Sequence, residues 1–237
     1  MIGANVSAFS IGKAVGRGGA VPMSWQYSGT SFNIFTQDTN PRGITWDGTH
    51  FWVAGDGNDY VYKYTSSGTY VSRWSVGTGA SDITFDGTYL WPIRTIDRAY
   101  KYNTAGAYQG INFYFGAIES SPQGITFDGT HLWIIGQSSD AAHKFTTTGT
   151  YTGVSFSVAS QDITPLGITW DGTHFWVIGA TTDAVYQYTS AGSYTGVNFP
   201  ITEGETQPTG IVYDGTDFWV VGTTTDKAYK YSLLPTP

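Results

Sequence analysis

Short apolar runs separated by glycine-bearing turns recur along almost the whole chain. In the first clear stretch Ile44–Trp46 meets Asp47-Gly48, followed by His50–Ala54, a polar loop, Tyr60–Tyr64, Ser67-Gly68 and Tyr70–Val76. Asp-Gly and Ser-Gly between apolar runs predict tight hairpins, because glycine supplies the positive φ that a turn matching strand twist requires. Each such stretch predicts a four-stranded antiparallel meander. Its second strand carries consecutive apolar residues, as in Phe51-Trp52-Val53, Leu132-Trp133-Ile134-Ile135 and Phe175-Trp176-Val177-Ile178. Strict alternation would mark a half-exposed strand, so both faces of this one are expected to be covered. No stretch predicts a long helix.

The meander repeats. Gly43-Ile-Thr-Trp-Asp-Gly-Thr-His-Phe-Trp52 has copies at 82–91, 124–133, 167–176 and 210–219, whose Asp residues fall at 47, 86, 128, 171 and 214, spaced by 39, 42, 43 and 43. Five meanders stacked face to face around an axis cover both faces of every inner strand and leave short edges, so the predicted fold is all-β, a closed five-bladed β-propeller. The termini support closure. After Lys230-Tyr231 the fifth unit lacks its Ser-Gly turn and fourth strand, whereas Ser28-Gly-Thr-Ser-Phe-Asn-Ile-Phe-Thr-Gln37 reads like the end of a unit. An N-terminal strand at Ser31–Gln37 is expected to complete the C-terminal blade. Residues 25–237 then form the propeller, and residues 1–24 a non-repeating leader with apolar Ile2, Val6, Phe9, Ile11 and Val15, expected to dock or assemble the propeller.

Composition narrows the partners. Charged residues make up 12% of the chain, about half the usual globular share, while aromatics reach 16%. A net charge of −7 with 11 scattered basic residues argues against a nucleic-acid partner, which needs clustered Lys and Arg. The absence of cysteine removes disulfides, thiol catalysis and Cys-based zinc sites. No run reaches the length of a membrane span, and residues 1–24 lack the basic start and apolar core of a secretory signal.

Residues that occupy one place in several blades are expected to serve the blade. The turn residues Asp47, Asp86, Asp128, Asp171 and Asp214 are suited to bond the backbone two residues on. Trp52, Trp91, Trp133, Trp176 and Trp219 are expected to pack between blades rather than stack on sugars. His50, His131 and His174 share one position on separate blades and His143 stands alone, so no metal cluster or other cofactor site is expected. A second series, Asp59, Asp97, Asp140, Asp183 and Asp226, closes the loop between second and third strands. Two readings stand for it: five rim carboxylates for sugar hydroxyls or a cation, or five caps on their own loops. Blade two departs from its neighbours, reading Pro92-Ile93-Arg94 where most others have Val-x-Gly, with Arg98 nearby; this asymmetric pair, with Arg42 on a connector between blades, suits a carboxylate or hydroxyl ligand. A divergent blade is the other explanation. No nucleophile with base and orienting acid, phosphate loop or nucleotide fingerprint is present.

The pattern Gly-Ile-Thr-aromatic-Asp-Gly-Thr-x-aromatic-Trp-Val, with Tyr-Lys-Tyr and Ser-Gly-Thr-Tyr after it, resembles the blades of NHL and YncE-type bacterial propellers over about residues 25–232. The blade number is similar to that of the tachylectin-2 group of lectins. Thr45-Trp-Asp-Gly-Thr49 also approaches the sialidase Asp-box, but its glycine lies one place too early. The resemblance implies a propeller and not one activity, since such folds carry lectins, hydrolases, lyases and scaffolds. Near-identical blades offer several equal weak sites that gain through avidity. The expected function is therefore a non-enzymatic, multivalent recognition module binding a glycan or surface receptor. It would sit on a virion, as a phage-type attachment or decoration protein, or on another extracellular surface assembly. The alternatives are an extracellular propeller lyase or hydrolase, and a scaffold that binds only protein neighbours.

Overall fold

The computed structural model describes residues 21–201 and 205–236. Among them twenty strands form five four-stranded antiparallel sheets. The N-terminal strand β1 (Met23–Asn33) precedes the first meander and pairs with the last strand of the chain. Blade one follows as β2 (Pro41–Trp46), β3 (His50–Gly55), β4 (Tyr60–Thr65) and β5 (Tyr70–Ser75). Blade two is β6 (Ala80–Phe85), β7 (Leu90–Arg94), β8 (Arg98–Tyr102) and β9 (Tyr108–Tyr114). Blade three is β10 (Pro122–Phe127), β11 (Leu132–Gly136), β12 (Ala141–Phe145) and β13 (Tyr151–Ser157). Blade four is β14 (Pro165–Trp170), β15 (His174–Gly179), β16 (Ala184–Thr189) and β17 (Tyr194–Pro200). Blade five is β18 (Pro208–Tyr213), β19 (Phe218–Gly222) and β20 (Lys227–Pro235), completed by β1. The inner strands β2, β6, β10, β14 and β18 touch one another in turn around the axis, which closes a five-bladed propeller.

The closing strand begins earlier than the repeat suggests. Pairing with β20 runs from Met23↔Pro235 to Asn33↔Lys227, and 34–37 forms a turn. The reason is packing. Phe32 lies among Phe51, Tyr64 and Trp219 at the junction with blade one, and Trp25 lies 4.7 Å from Phe218 and 6.0 Å from Phe199 at the junction with blade four. One strand thus fastens blade five on both sides. Residues 1–20, most of the expected leader, lie outside the described residues.

The repeated Asp and Trp act together. In blade one Asp47 Oδ1 accepts from the Thr49 and His50 amides, and Asp47 Oδ2 accepts from Trp52 Nε1 at 2.7 Å. The same indole bond recurs at Asp86–Trp91, Asp128–Trp133, Asp171–Trp176 and Asp214–Trp219. The carboxylate therefore satisfies a buried donor while Gly48 takes the turn's positive φ of 90°. These indoles, 0–5% exposed, are blade packing and offer no face for a sugar.

Candidate functional site

Each inner strand starts at a connector from the previous blade, so the five strands enter the ring from one end. The loops between second and third strands share that end, as the bonds Asp56 N→Asn40 O, Thr95 N→Gly79 O, Gln137 N→Ser121 O, Ala180 N→Thr164 O and Thr223 N→Gln207 O show. A funnel of about 130 Å³ opens there on the axis, lined by Arg42, Ser81, Gln123, Leu166 and Thr209 from the five connectors, with Asp56 and Thr95 at its side.

The composition of this ring stands out against its flanks. The residue before it is Pro in four blades and Ala80 in the other; the residue after it is Gly in four blades and Asp82 in the other. Between these near-constant neighbours the ring residue is different in every blade. A position that merely serves the blade would repeat.

One residue deeper, roughly 3.3 Å along the strands, the axis is closed by glycine. A Cβ on Gly124 would meet the Gly167 backbone, and a Cβ on Gly210 would meet that of Gly43, so the blades approach too closely for a side chain there. Blade two nevertheless places Asp82 at this level, against Gly43. Asp82 is 2% exposed; its Oδ2 accepts from the Ile125 amide at 2.7 Å, and its Oδ1 has no partner. Burial holds this carboxyl well above the usual carboxylate range, outweighing the amide bonds from Ile125 and Ile83. Below the mixed ring lies one axial group able to keep a proton.

Four other buried carboxylates have a different role. Asp38, Glu119, Asp162 and Glu205 each stand five residues before the axial position and tie a connector to a loop. Glu119 is representative: it accepts from the Ser121 and Ser138 amides and from the Ser138 and Ser139 hydroxyls. Burial alone would raise its pKa, but these donors outweigh it and hold it below the ordinary value. Gly55, Gly136, Gly179 and Gly222 are required beneath these acids, since a Cβ would strike them. Blade two has Gly77 in place of the acid and Arg94 in place of the glycine. Arg94 reaches back instead, donating from Nε to Thr78 O at 2.8 Å.

The exchange reaches one rim residue. Without a local acid, the connector amide of Gly79 is taken by Asp59 Oδ1 at 2.9 Å, a bond to the next connector and not to its own loop, while Oδ1 of Asp97, Asp140 and Asp226 has no partner among the described residues. Asp59, Asp97, Asp140, Asp183 and Asp226 all adopt positive φ, 47–59°, which Asp tolerates in turns. They stand one per blade and are not brought together. Burial, then Glu119, raises the Asp97 pKa; burial, then Glu205 and Asp38, raises that of Asp226. Arg98 lies across the strand pair from Arg94 and donates to Asn112 Oδ1 at 2.7 Å. Of the residues singled out from the sequence, Arg42 alone lines the funnel.

Buried His143 bonds Ser139 Oγ at 2.8 Å, and that hydroxyl donates to Glu119 Oε2 at 2.6 Å. The order is wrong for an activated nucleophile, because the carboxylate accepts from serine and not from the imidazole. Tyr186–Thr182–Asp162 and Tyr229–Thr225–Glu205 repeat the same chain in other blades. Burial lowers the His143 pKa and keeps the ring neutral in this structural role.

No protein-family model matches the chain, and no curated protein matches it. Solved structures do. A glutaminyl cyclase from Myxococcus xanthus superposes with a TM-score of 0.71 at 12% identity, over 92% of this chain and 99% of that one. A virginiamycin B lyase from Staphylococcus aureus gives 0.53 at 16% identity, over 90% and 100%. A streptogramin B lyase gives 0.51 at 19%, over 88% and 73%. The chain has a β-propeller fold. At these identities the likeness establishes the fold alone, and the resemblance to NHL and YncE-type blades has no family match behind it. The expectation of a non-enzymatic recognition module on a virion or surface assembly is corrected by this finding: these similar folds belong to enzymes. The reason the sequence pointed elsewhere is physical. Near-identical blades suggested equal sites around the rim, whereas the funnel residues differ from blade to blade.

Proposed function

We propose that the protein is an enzyme acting on a small substrate in the axial funnel, with chemistry of the cyclase or lyase kind. The observation that carries this reading is the ring Arg42, Ser81, Gln123, Leu166 and Thr209, different in every blade, set above the repeat-breaking carboxyl of Asp82. A cyclase and a lyase both rearrange bonds within one substrate molecule and need a group that gives or takes a proton. A carboxyl whose pKa burial raises well above the usual range suits that work. Arg42 and Gln123 supply donors for a substrate oxygen, and Leu166 an apolar wall. The likeness of the fold to a glutaminyl cyclase and to streptogramin B lyases supports the choice of reaction classes.

The test is turnover. The full chain is incubated with peptides bearing N-terminal glutamine and with virginiamycin B, and products are read by mass spectrometry. Conversion by the wild type, falling about a hundredfold in Asp82→Asn and strongly in Arg42→Ala, is the expected result. Absence of product from both substrates, or conversion that neither substitution changes, removes the reading.

A further inference from the structure

The funnel contains one ion pair, and each partner has bonding capacity left over. Arg42 gives one nitrogen, Nη2, to Asp56 Oδ2 at 3.2 Å, and Asn40 Nδ2 donates to that same oxygen at 3.2 Å. Asp56 Oδ1 has no hydrogen-bond partner among the described residues, and neither do the remaining guanidinium donors of Arg42. Both side chains stay partly open, at 38% and 31% exposure. The pair is thus oriented by mutual contact without being used up.

A ligand meeting this pair faces both signs at once. An isolated anion on Arg42 would be repelled by Asp56, and an isolated cation on Asp56 by Arg42. A molecule that carries an anion and a cation one or two bonds apart satisfies both and leaves the Arg42–Asp56 contact in place. The guanidinium fork fits a planar carboxylate, and a carboxylate oxygen accepts from an ammonium. Size sets an upper bound, since about 130 Å³ is less than the roughly 300–1,000 Å³ of pockets for drug-sized ligands and leaves room for a smaller molecule only. Leu166 adds an apolar wall to the same funnel, and Gln123 contributes an amide with no side-chain bond among the described residues.

We propose that the funnel binds a small zwitterion of the α-amino-acid type, its carboxylate on Arg42, its ammonium on Asp56 Oδ1 and an apolar side chain toward Leu166. This names a ligand class for the site proposed above and rests on the funnel being that site.

The probes are L-leucine, N-acetyl-L-leucine and L-leucinamide, titrated into the full chain by calorimetry alongside saturation-transfer NMR. Leucine binds, and each blocked compound binds at least about tenfold more weakly, because each removes one charge-assisted contact. Arg42→Ala and Asp56→Ala weaken leucine in the same way. Arg42→Lys, which keeps charge and loses the fork, falls between, and Arg98→Ala on the rim binds as the wild type does. No detectable binding of leucine, or equal binding of the blocked compounds, overturns the proposal. Zwitterion binding without turnover of any tested substrate leaves this site standing and removes the enzyme reading. Turnover with indifference to the blocked groups does the reverse.

Discussion

Asp82 places a carboxyl where four blades have glycine, and its cost should be visible in the pH dependence of folding. Its folded pKa is raised above the ordinary 3.8 by burial. A raised pKa favours the protonated native state, so its contribution is complete below 3.8 and is lost as pH rises through the folded value. Asp82→Asn keeps an oxygen for the Ile125 amide and cannot ionise. Wild type and Asp82→Asn should therefore differ least in acid, and the variant should gain on the wild type by up to about 1.4 kcal/mol per pH unit through the titration window. Urea denaturation of both proteins across that range checks this; parallel curves would mean that Asp82 is not buried as a proton holder. The substitution was legible as a letter, since Asp82-Ile-Thr-Phe stands against Gly-Ile-Thr-aromatic elsewhere. Its meaning was not, because the axial crowding that isolates Oδ1 comes from Gly43 and Ile125 on two other blades.

Strands and turns were largely written in the repeat. Asp-Gly at 47–48 forms the expected turn, and the second-strand run Phe51-Trp52-Val53 is buried as its lack of alternation implied. The connectors were less legible. Asp38, Glu119, Asp162 and Glu205 vary between Asp and Glu, and what unites them is a set of amides supplied by a loop nearly twenty residues onward. Burying such an acid is tolerable because several donors converge on it, and removing the charge should show how much they contribute. Glu119→Gln is expected to lower stability at neutral pH by about 1.5–3 kcal/mol, the range for hydrogen bonds to a charged group. Since the Glu119 pKa is held below 4.5, that contribution is present above 4.5 and is lost as pH falls through the folded value. The gap between wild type and variant should accordingly close in acid, and a gap independent of pH would mean that side-chain shape, not charge, secures the connector. Arg94 makes the complementary case: grafting an acid at Gly77 without restoring glycine at 94 would set the new side chain against the guanidinium, whose atoms lie 3.1 Å from where a Cβ would be.

The ring as a body depends on β1, because blade five has no covalent turn between its third and fourth strands. In four junctions the fourth-strand aromatic of one blade sits over a turn glycine of the next: Phe32 over Gly68, Trp74 over Gly106, Phe113 over Gly149 and Phe156 over Gly192. The fifth junction has Phe199 against Trp25 instead, 6.0 Å away, since β1 and β20 run paired through Trp25 and Leu233 where the other blades have that turn. Closure was foreseeable from the missing end of unit five, but the reach of β1 back to Met23 was not, because Trp25 belongs to no repeated motif. Two substitutions separate the contributions. Phe32→Ala empties a site 8% exposed among three aromatic partners and should cost about 3–5 kcal/mol, while Trp25→Ala, half-buried, should cost less. Both residues hold one strand between two neighbouring blades, so the ring should open as a unit when that strand is lost. A chain starting after Asn33 should then show a broad transition of much lower midpoint, with hydrogen exchange fastest in β19 and β20 and slowest in β10 to β15. Retention of a sharp wild-type transition in that truncated chain would show that blades one to five hold together without the strand, and would break the link between closure and stability.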